Sequence, residues 1–462
     1  MVLGRDFWHG RTIGWDSFAA PDKRQIKEWV ARFMAGLKWY EVAEYAAMAL
    51  YVASVPIHWR LGVLALALVV ISAVVKMVAS GRVVNRNLPQ AFGCCLWVMV
   101  LYYLLYFVSI YYSKSPLDGF SAVGKKLPAI IIPLFFLFSD LSYIRRRHVS
   151  ALSLLLALVL TVRFGIMLVQ AVLDLMAGEA YKNVIQSHFD PMHYNYLALY
   201  IVTAIILLFF EAMRYWRLPK WRKRRWALVG DMVVMVEYIL ILGSRSGLLT
   251  MVMIVAAIAF YLVLAKKYKA GTIVALGFAL LLGLNRLASP ELFSRAESTI
   301  EKLEKGEDGD VREEIWECGL NLVEDHEIVG YGNVGYRIGL YREYINHDLD
   351  SSYKHKLNLH NQYLETLLST GVVGLVVMLV MVVMPAIVSL TRKYWNPATV
   401  VFSILYAAWI FFEEGFSRQM GLLFICWWYC ALLAFARCYP GPRVEMAKWR
   451  RRPKAEPAPP RS

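Results

Sequence analysis

Two arginines and a histidine, Arg245, Arg312 and His360, stand in a chain that offers little else with which to do chemistry. Arg245 lies in Ser244-Arg245-Ser246-Gly247, a short polar turn between two apolar runs. A guanidinium flanked by apolar helices is costly unless it is paired or lines a wet cavity. It either snorkels to lipid headgroups or serves as an anion site, because guanidinium stays charged and grips phosphate oxygens in a bidentate fork. Arg312 opens an amphipathic stretch four residues before Trp316. Taken alone it reads as a solvated charge, with Trp316 packing on the bilayer or on a lid. His360 precedes Asn361 where an apolar helix is about to begin. It is either an idle helix-start residue or a general base, since imidazole titrates near neutral pH.

Other polar groupings carry less. Asp348-Leu349-Asp350 has the spacing by which many nucleotide-sugar enzymes hold a divalent metal, but such enzymes need an α/β nucleotide-binding domain that this stretch cannot build. Glu307-Asp308-Gly309-Asp310 lacks the spacing of an EF-hand loop. Glu413-Glu414, at a helix end, reads as an interface charge rather than a catalyst. The segment from His188 to Tyr194, which includes His193, gathers polar and ionisable groups at the start of an apolar run and suits the wall of a site. No Ser/His/Asp order, P-loop or zinc-ligand spacing is present, so neither a metal nor a cofactor is expected.

The elements that must position these residues are apolar helices. Of 462 residues 58% are hydrophobic, and the mean hydropathy is +0.46. The apolar residues fall in long blocks rather than stripes, which predicts an all-α polytopic membrane protein. Twelve spans are expected, near 40–57, 61–79, 91–112, 127–141, 151–175, 194–213, 227–243, 247–264, 271–287, 367–390, 398–412 and 420–436. The fourth and eleventh are short, and Pro128 and Pro133 are expected to bend the fourth. With the N-terminus inside, every inner connection is basic: Lys76/Arg82/Arg86, Arg145-Arg146-Arg147, the run from Arg214 to Arg225, Lys266/Lys267/Lys269 and Arg392/Lys393. That satisfies the positive-inside rule and explains much of the net charge of +15. Because the cations fall between apolar spans, nucleic acid is not an expected partner. Only Cys318 of the six cysteines faces outward on this topology, so no outer disulfide is expected.

The expected organisation has five parts. Residues 1–39 form a cytoplasmic N-terminus with an interfacial amphipathic helix and no cleavable signal peptide. Residues 40–287 hold the first nine spans. Residues 288–366 form a periplasmic loop whose stretch 288–359 carries sixteen Asp/Glu and eight Lys/Arg. Within it Val311, Ile315, Trp316 and Val323 recur at helical spacing. Glu291–Lys305 is a weaker helix candidate, and Gly330-x-Gly332 marks a turn. Residues 367–436 hold the last three spans, and 437–462 form a disordered basic cytoplasmic tail.

The order of these motifs resembles the O-antigen ligase and polymerase superfamily. The resemblance rests on Ser244-Arg245-Ser246-Gly247, Asp310-x-Arg312-x-x-x-Trp316, Gly330-x-Gly332 and His360-Asn361-x-Tyr363-Leu364-x-x-Leu367, followed by Gly371-x-x-Gly374, and covers roughly residues 190–390. It implies a bacterial inner-membrane enzyme that transfers a glycan from undecaprenyl pyrophosphate at the periplasmic face, without metal or nucleotide. It implies catalytic roles for Arg245, Arg312 and His360. The substrate-binding set expected around them is Arg245, Arg312, Ser244, Ser246, His193, Asn361 and Trp316. Fixed positive charge would stabilise the pyrophosphate leaving group, a positioned base would draw the proton from an acceptor hydroxyl, and attack opposite the leaving group would invert the anomeric centre. The acceptor is lipid A-core for a ligase, a second lipid-linked repeat unit for a polymerase, or a protein. A transporter of lipid-linked glycan is the reading from a different class, and charged residues buried mid-span would favour it; Arg163 is such a residue and Glu237 a weaker case, and either also suits a structural ion.

Overall fold

The structure, a computed structural model, describes residues 33–85, 88–177, 193–215, 221–242, 244–288, 311–391 and 393–438. The expected N-terminal amphipathic helix, the helix candidate at 291–305 and the basic tail lie outside the described residues, as do residues 188–192. Among the described residues the fold is all helical. The helices are α1 (Trp39–Ile57), α2 (Trp59–Ser80), α3 (Gln90–Val108), α4 (Pro116–Lys126), α5 (Pro128–Phe138), α6 (Arg146–Met176), α7 (Tyr194–Tyr215) and α8 (Arg222–Leu242). They continue with α9 (Arg245–Leu264), α10 (Tyr268–Ala288), α11 (Val311–Asn321), α12 (Tyr336–Asn346), α13 (Asp350–Lys354), α14 (Gln362–Leu390), α15 (Pro397–Phe412) and α16 (Gln419–Ala434).

Each of the twelve apolar segments forms a helix. Seven helices are long and apolar enough to cross a membrane, or eight if the bent pair α4–α5 counts as one span. This is a multi-pass membrane protein. The bend between α4 and α5 is 42° and falls at Pro128, which opens α5 because its missing N–H costs nothing at a helix start. The fourth predicted span, 127–141, is the single short helix α5; the bend falls at its start, at Pro128, and α5 continues through Pro133.

The apolar faces sort the helices by depth. α7 is apolar on every side and almost wholly buried, so it forms the centre of the bundle, packed by α6, α8, α9 and α15. α10 is less apolar than α7 and nearly all exposed, as expected of a helix facing lipid. The polar connection after α10 builds a unit of its own. Ile315, Cys318, Leu322, Tyr336, Leu340 and Tyr344 from α11 and α12 close a second apolar core over Leu359, Leu364 and Leu368 at the head of α14.

A kink seats this unit. Within α14, Gly371 takes φ +67°, ψ −167°, and Tyr331 N–H donates to the Leu368 carbonyl at 2.8 Å while Val372 N–H donates to Glu327 O at 2.8 Å. The approach leaves no room for a side chain, since a Cβ on Gly371 would lie 2.1 Å from Ile328 O and one on Gly330 2.6 Å from Leu368 O. The glycines at 330 and 371 are thus halves of one backbone-to-backbone joint.

The structure corrects one placement and resolves two intramembrane charges. Lys76 is not a loop cation: it lies inside α2, 3% exposed, paired with Glu44 of α1 and bonded to Ser139 Oγ at 2.9 Å. A helix that continues four residues past it, and a carboxylate thirty-two residues earlier, take it out of the loop inventory. Arg163 donates to the Pro56 and Ile57 carbonyls at the C-terminal end of α1, and Glu237 accepts from Asn285 Nδ2 at 2.9 Å. Both act as structural polar groups between helices.

Candidate active site

Four helix ends meet at one end of the bundle. α7 starts at Tyr194, α9 at Arg245 and α14 at Gln362, while α15 ends at Phe412. The end of α15 hands the chain to Glu413, in extended conformation, which is 3% exposed. Its carboxylate is the hub of the site. His360 Nδ1 lies 3.6 Å from Oε2, Arg312 Nη2 lies 3.9 Å from Oε1, and Asn195 Nδ2 donates to Oε1.

Each partner is held by a local device. His360 has φ +49°, a left-handed conformation that is rare outside glycine and turns its ring toward Glu413. The next residue, Asn361, caps α14 through its carboxamide oxygen, which accepts from Tyr363 N at 3.0 Å and Leu364 N at 3.1 Å. The residue before, Leu359, offers its carbonyl to Trp316 Nε1 at 2.8 Å, and Trp316 packs edge-on to Phe411 with centroids 5.2 Å apart. Two of the expected binding residues, Asn361 and Trp316, therefore bracket the histidine. Arg312 is carried on the first turn of α11, one turn before Trp316, which brings its guanidinium to the same carboxylate.

Behind Glu413 runs a buried polar chain. Ser244 Oγ donates to Asn195 Oδ1 at 2.7 Å and accepts from Gly247 N at 3.0 Å, capping α9. Ser246 Oγ lies 3.4 Å from Ser244 Oγ. Gly247 is required by close approach, because a Cβ there would sit 2.6 Å from Ala198 Cβ of α7. Trp409 Nε1 fixes the Asn195 backbone by donating to its carbonyl at 3.2 Å. The Arg245 backbone begins α9 beside this chain; its side chain lies outside the described residues. His193 stacks on Tyr194 with centroids 4.4 Å apart and sits within the electrostatic reach of Glu413, His360 and Arg312.

The environment splits two adjacent carboxyls. Burial pushes Glu413 up, but the His360 ring beside it, His193 and the Asn195 amide outweigh burial and hold it below its ordinary value. Burial and the nearby Glu365 push Glu414 above its ordinary value, although Asn358 Nδ2 donates to it at 2.9 Å. The two adjacent carboxyls are thus pushed in opposite directions, the kind of divergence that separates functional roles. Burial also lowers His193 below the usual imidazole range. The His360 Nδ1 atom is sealed from solvent and lacks a hydrogen-bond partner, while the ring as a whole is 23% exposed.

Sequence reasoning singled out Arg312, His360, Ser244, Ser246 and His193, and the structure gathers them around Glu413 and Asn195. It missed those two. Glu413 reads as a surface charge until its helix end is known to be buried. Asn195 sits one residue inside an apolar helix, and that position was its only signal.

Residues 230–379 match the family described as O-Antigen ligase. The matched stretch holds Arg245, Arg312 and His360, whereas Asn195 and Glu413 lie outside it. No curated protein matches the chain. The motif order, the all-helical membrane fold and this match agree: residues 230–379 are similar to the O-antigen ligase family.

Proposed function

We propose that this protein transfers a glycan from undecaprenyl pyrophosphate to a sugar hydroxyl of lipid A-core at the periplasmic face of the inner membrane, with inversion. The observation that carries the reading is the His360–Glu413 pair with Arg312 on the same carboxylate. Because Nδ1 is sealed against Glu413, Nε2 is the ring nitrogen left to meet substrate. In the proposed step the acceptor oxygen attacks the anomeric carbon as Nε2 takes its proton. The bond from that carbon to the pyrophosphate oxygen breaks, and undecaprenyl pyrophosphate leaves with the electron pair. Glu413 steadies the imidazolium as it forms, which parallels the base–orienter logic of nucleophile-activating sites. Arg312 and Arg245 supply fixed positive charge for the departing pyrophosphate. A base placed this way contributes about 10²–10⁴-fold.

The transporter reading rests on Arg163 and Glu237, whose hydrogen bonds to the Pro56 and Ile57 carbonyls and to Asn285 also suit a structural role. The test is the purified chain in detergent with lipid-linked donor, lipid A-core, EDTA and no ATP. Joined product is expected. Chain growth from donor alone would make it a polymerase, and translocation in sealed vesicles without bond cleavage would overturn the transferase reading.

A further inference from the structure

A cavity of mixed polar and apolar lining lies between α4, α12 and Ser417, three residues after Glu414. It measures about 340 Å³, within the range of small-molecule sites (about 300–1,000 Å³). Three cations from three separate segments reach it: Lys125 of α4, Arg337 of α12 and Lys356 just before α14. None of them forms an ion pair among the described residues. Lys126, beneath the cavity, is already matched: it lies 3.8 Å from Glu365 and donates to Phe416 O at 3.1 Å. That leaves Asp118 as the remaining acidic residue of the lining. An anion entering the cavity meets three cations from three separate segments, which attract it together.

The rest of the lining suits a sugar. Asn333 is fully buried, and its amide nitrogen donates to Gly119 O at 3.1 Å, so its orientation is fixed. Its Oδ1 and the Ser417 Oγ, both lining residues, are buried without a hydrogen-bond partner. Such groups call for donors from a ligand. Ser121 adds a further hydroxyl.

We infer that this cavity is the acceptor subsite and takes a sugar bearing a phosphate or carboxylate, with Lys125, Arg337 and Lys356 on the anionic group and Asn333 and Ser417 on hydroxyls. The inference rests on the transferase reading for the word acceptor. The location supports it, since Glu414 bridges the two sites: it accepts from Asn358, two residues before His360, and lies in the field of Arg337. Lys356 of the cavity lies four residues before His360 in the chain.

The test separates the two readings by measuring binding without turnover. Glucose 6-phosphate, glucuronate, glucose and inorganic pyrophosphate are titrated calorimetrically into the full chain in detergent. They are then titrated into a Lys125→Gln/Lys356→Gln double variant, in which both replaced side chains are exposed. The expected result is that at least one anionic sugar binds at least ten-fold more tightly than glucose, and that the variant abolishes the difference. The two anionic sugars tell phosphate from carboxylate. Lys125→Arg/Lys356→Arg restores binding. Equal affinity for glucose and both anionic sugars overturns the inference. So does pyrophosphate binding as tightly as the sugar phosphate with the same loss in the variant, which would make the cavity a leaving-group site. In the transfer assay, removing phosphate from the acceptor raises KM for the wild type but not for the double variant, with kcat unchanged. A wild type that transfers to no acceptor fails the transferase reading alone.

Discussion

Replacing Glu413 by Gln removes the charge that faces His360 while keeping an oxygen for the Asn195 amide. The account assigns Glu413 to the imidazolium that exists only once the acceptor has given up its proton, so the loss belongs in kcat rather than in acceptor KM. Two unit charges 3.6 Å apart attract by about 4–5 kcal/mol at an effective dielectric of ~20. Arg312, 3.9 Å from the other carboxylate oxygen, draws on the same charge, so about 3–4 kcal/mol should reach the transition state. That is about 10²–10³ in rate, at 1.36 kcal/mol per decade. Single-turnover transfer by purified Glu413→Gln protein reads this directly, with thermal stability as the folding control. Glu413→Asp, charged but shorter, should fall between. An Arg312→Gln/Glu413→Gln double-variant cycle separates the arginine's share from the histidine's. If Glu413→Gln folds and turns over within three-fold of wild type, the orienting role is wrong.

Gly371→Ala should undock the loop unit from α14, because its Cβ would lie 2.1 Å from Ile328 O at a φ of +67°. Faster proteolysis within residues 311–361 together with lost transfer is expected, and unchanged proteolysis would contradict the joint. Acid should weaken this end of the bundle. His193 and Glu413 are both held below their ordinary values of 6.5 and 4.5, so the unfolded chain binds more protons and stability rises with pH. The His193 share is lost as pH falls from 6.5 toward its lowered value, and the Glu413 share is lost below 4.5 as pH passes its own. Melting temperature against pH should therefore decline below 6.5, and His193→Gln should flatten the first part of that decline; an identical slope in both proteins would refute the assignment.

The helices were legible because apolar blocks of spanning length leave the backbone few alternatives. Arg312 and His360 were legible through the order of the motifs that carry them, since taken alone the first reads as a solvated charge and the second as a helix-start residue. Glu413 was not, because its meaning depends on which helix ends converge, and nothing within Phe412-Glu413-Glu414 encodes that α7, α9 and α14 start beside it. Lys76 misled for the same reason: a cation at the end of an apolar block reads as a loop residue until Glu44 is found opposite it. Asn361 illustrates the converse. Its type suggested substrate binding, and only the structure shows that its carboxamide oxygen caps α14 and starts that helix directly after His360.

The most direct test of the central claim measures donor binding and turnover on the same purified His360→Ala protein. If His360 takes the proton from the acceptor, lipid-linked donor should bind within a few-fold of wild type while transfer is abolished, and His360→Gln should behave alike because an amide cannot accept that proton. Full turnover by His360→Ala would contradict the base assignment. Donor binding lost together with turnover would contradict it too, and would place the imidazole on the pyrophosphate beside Arg312.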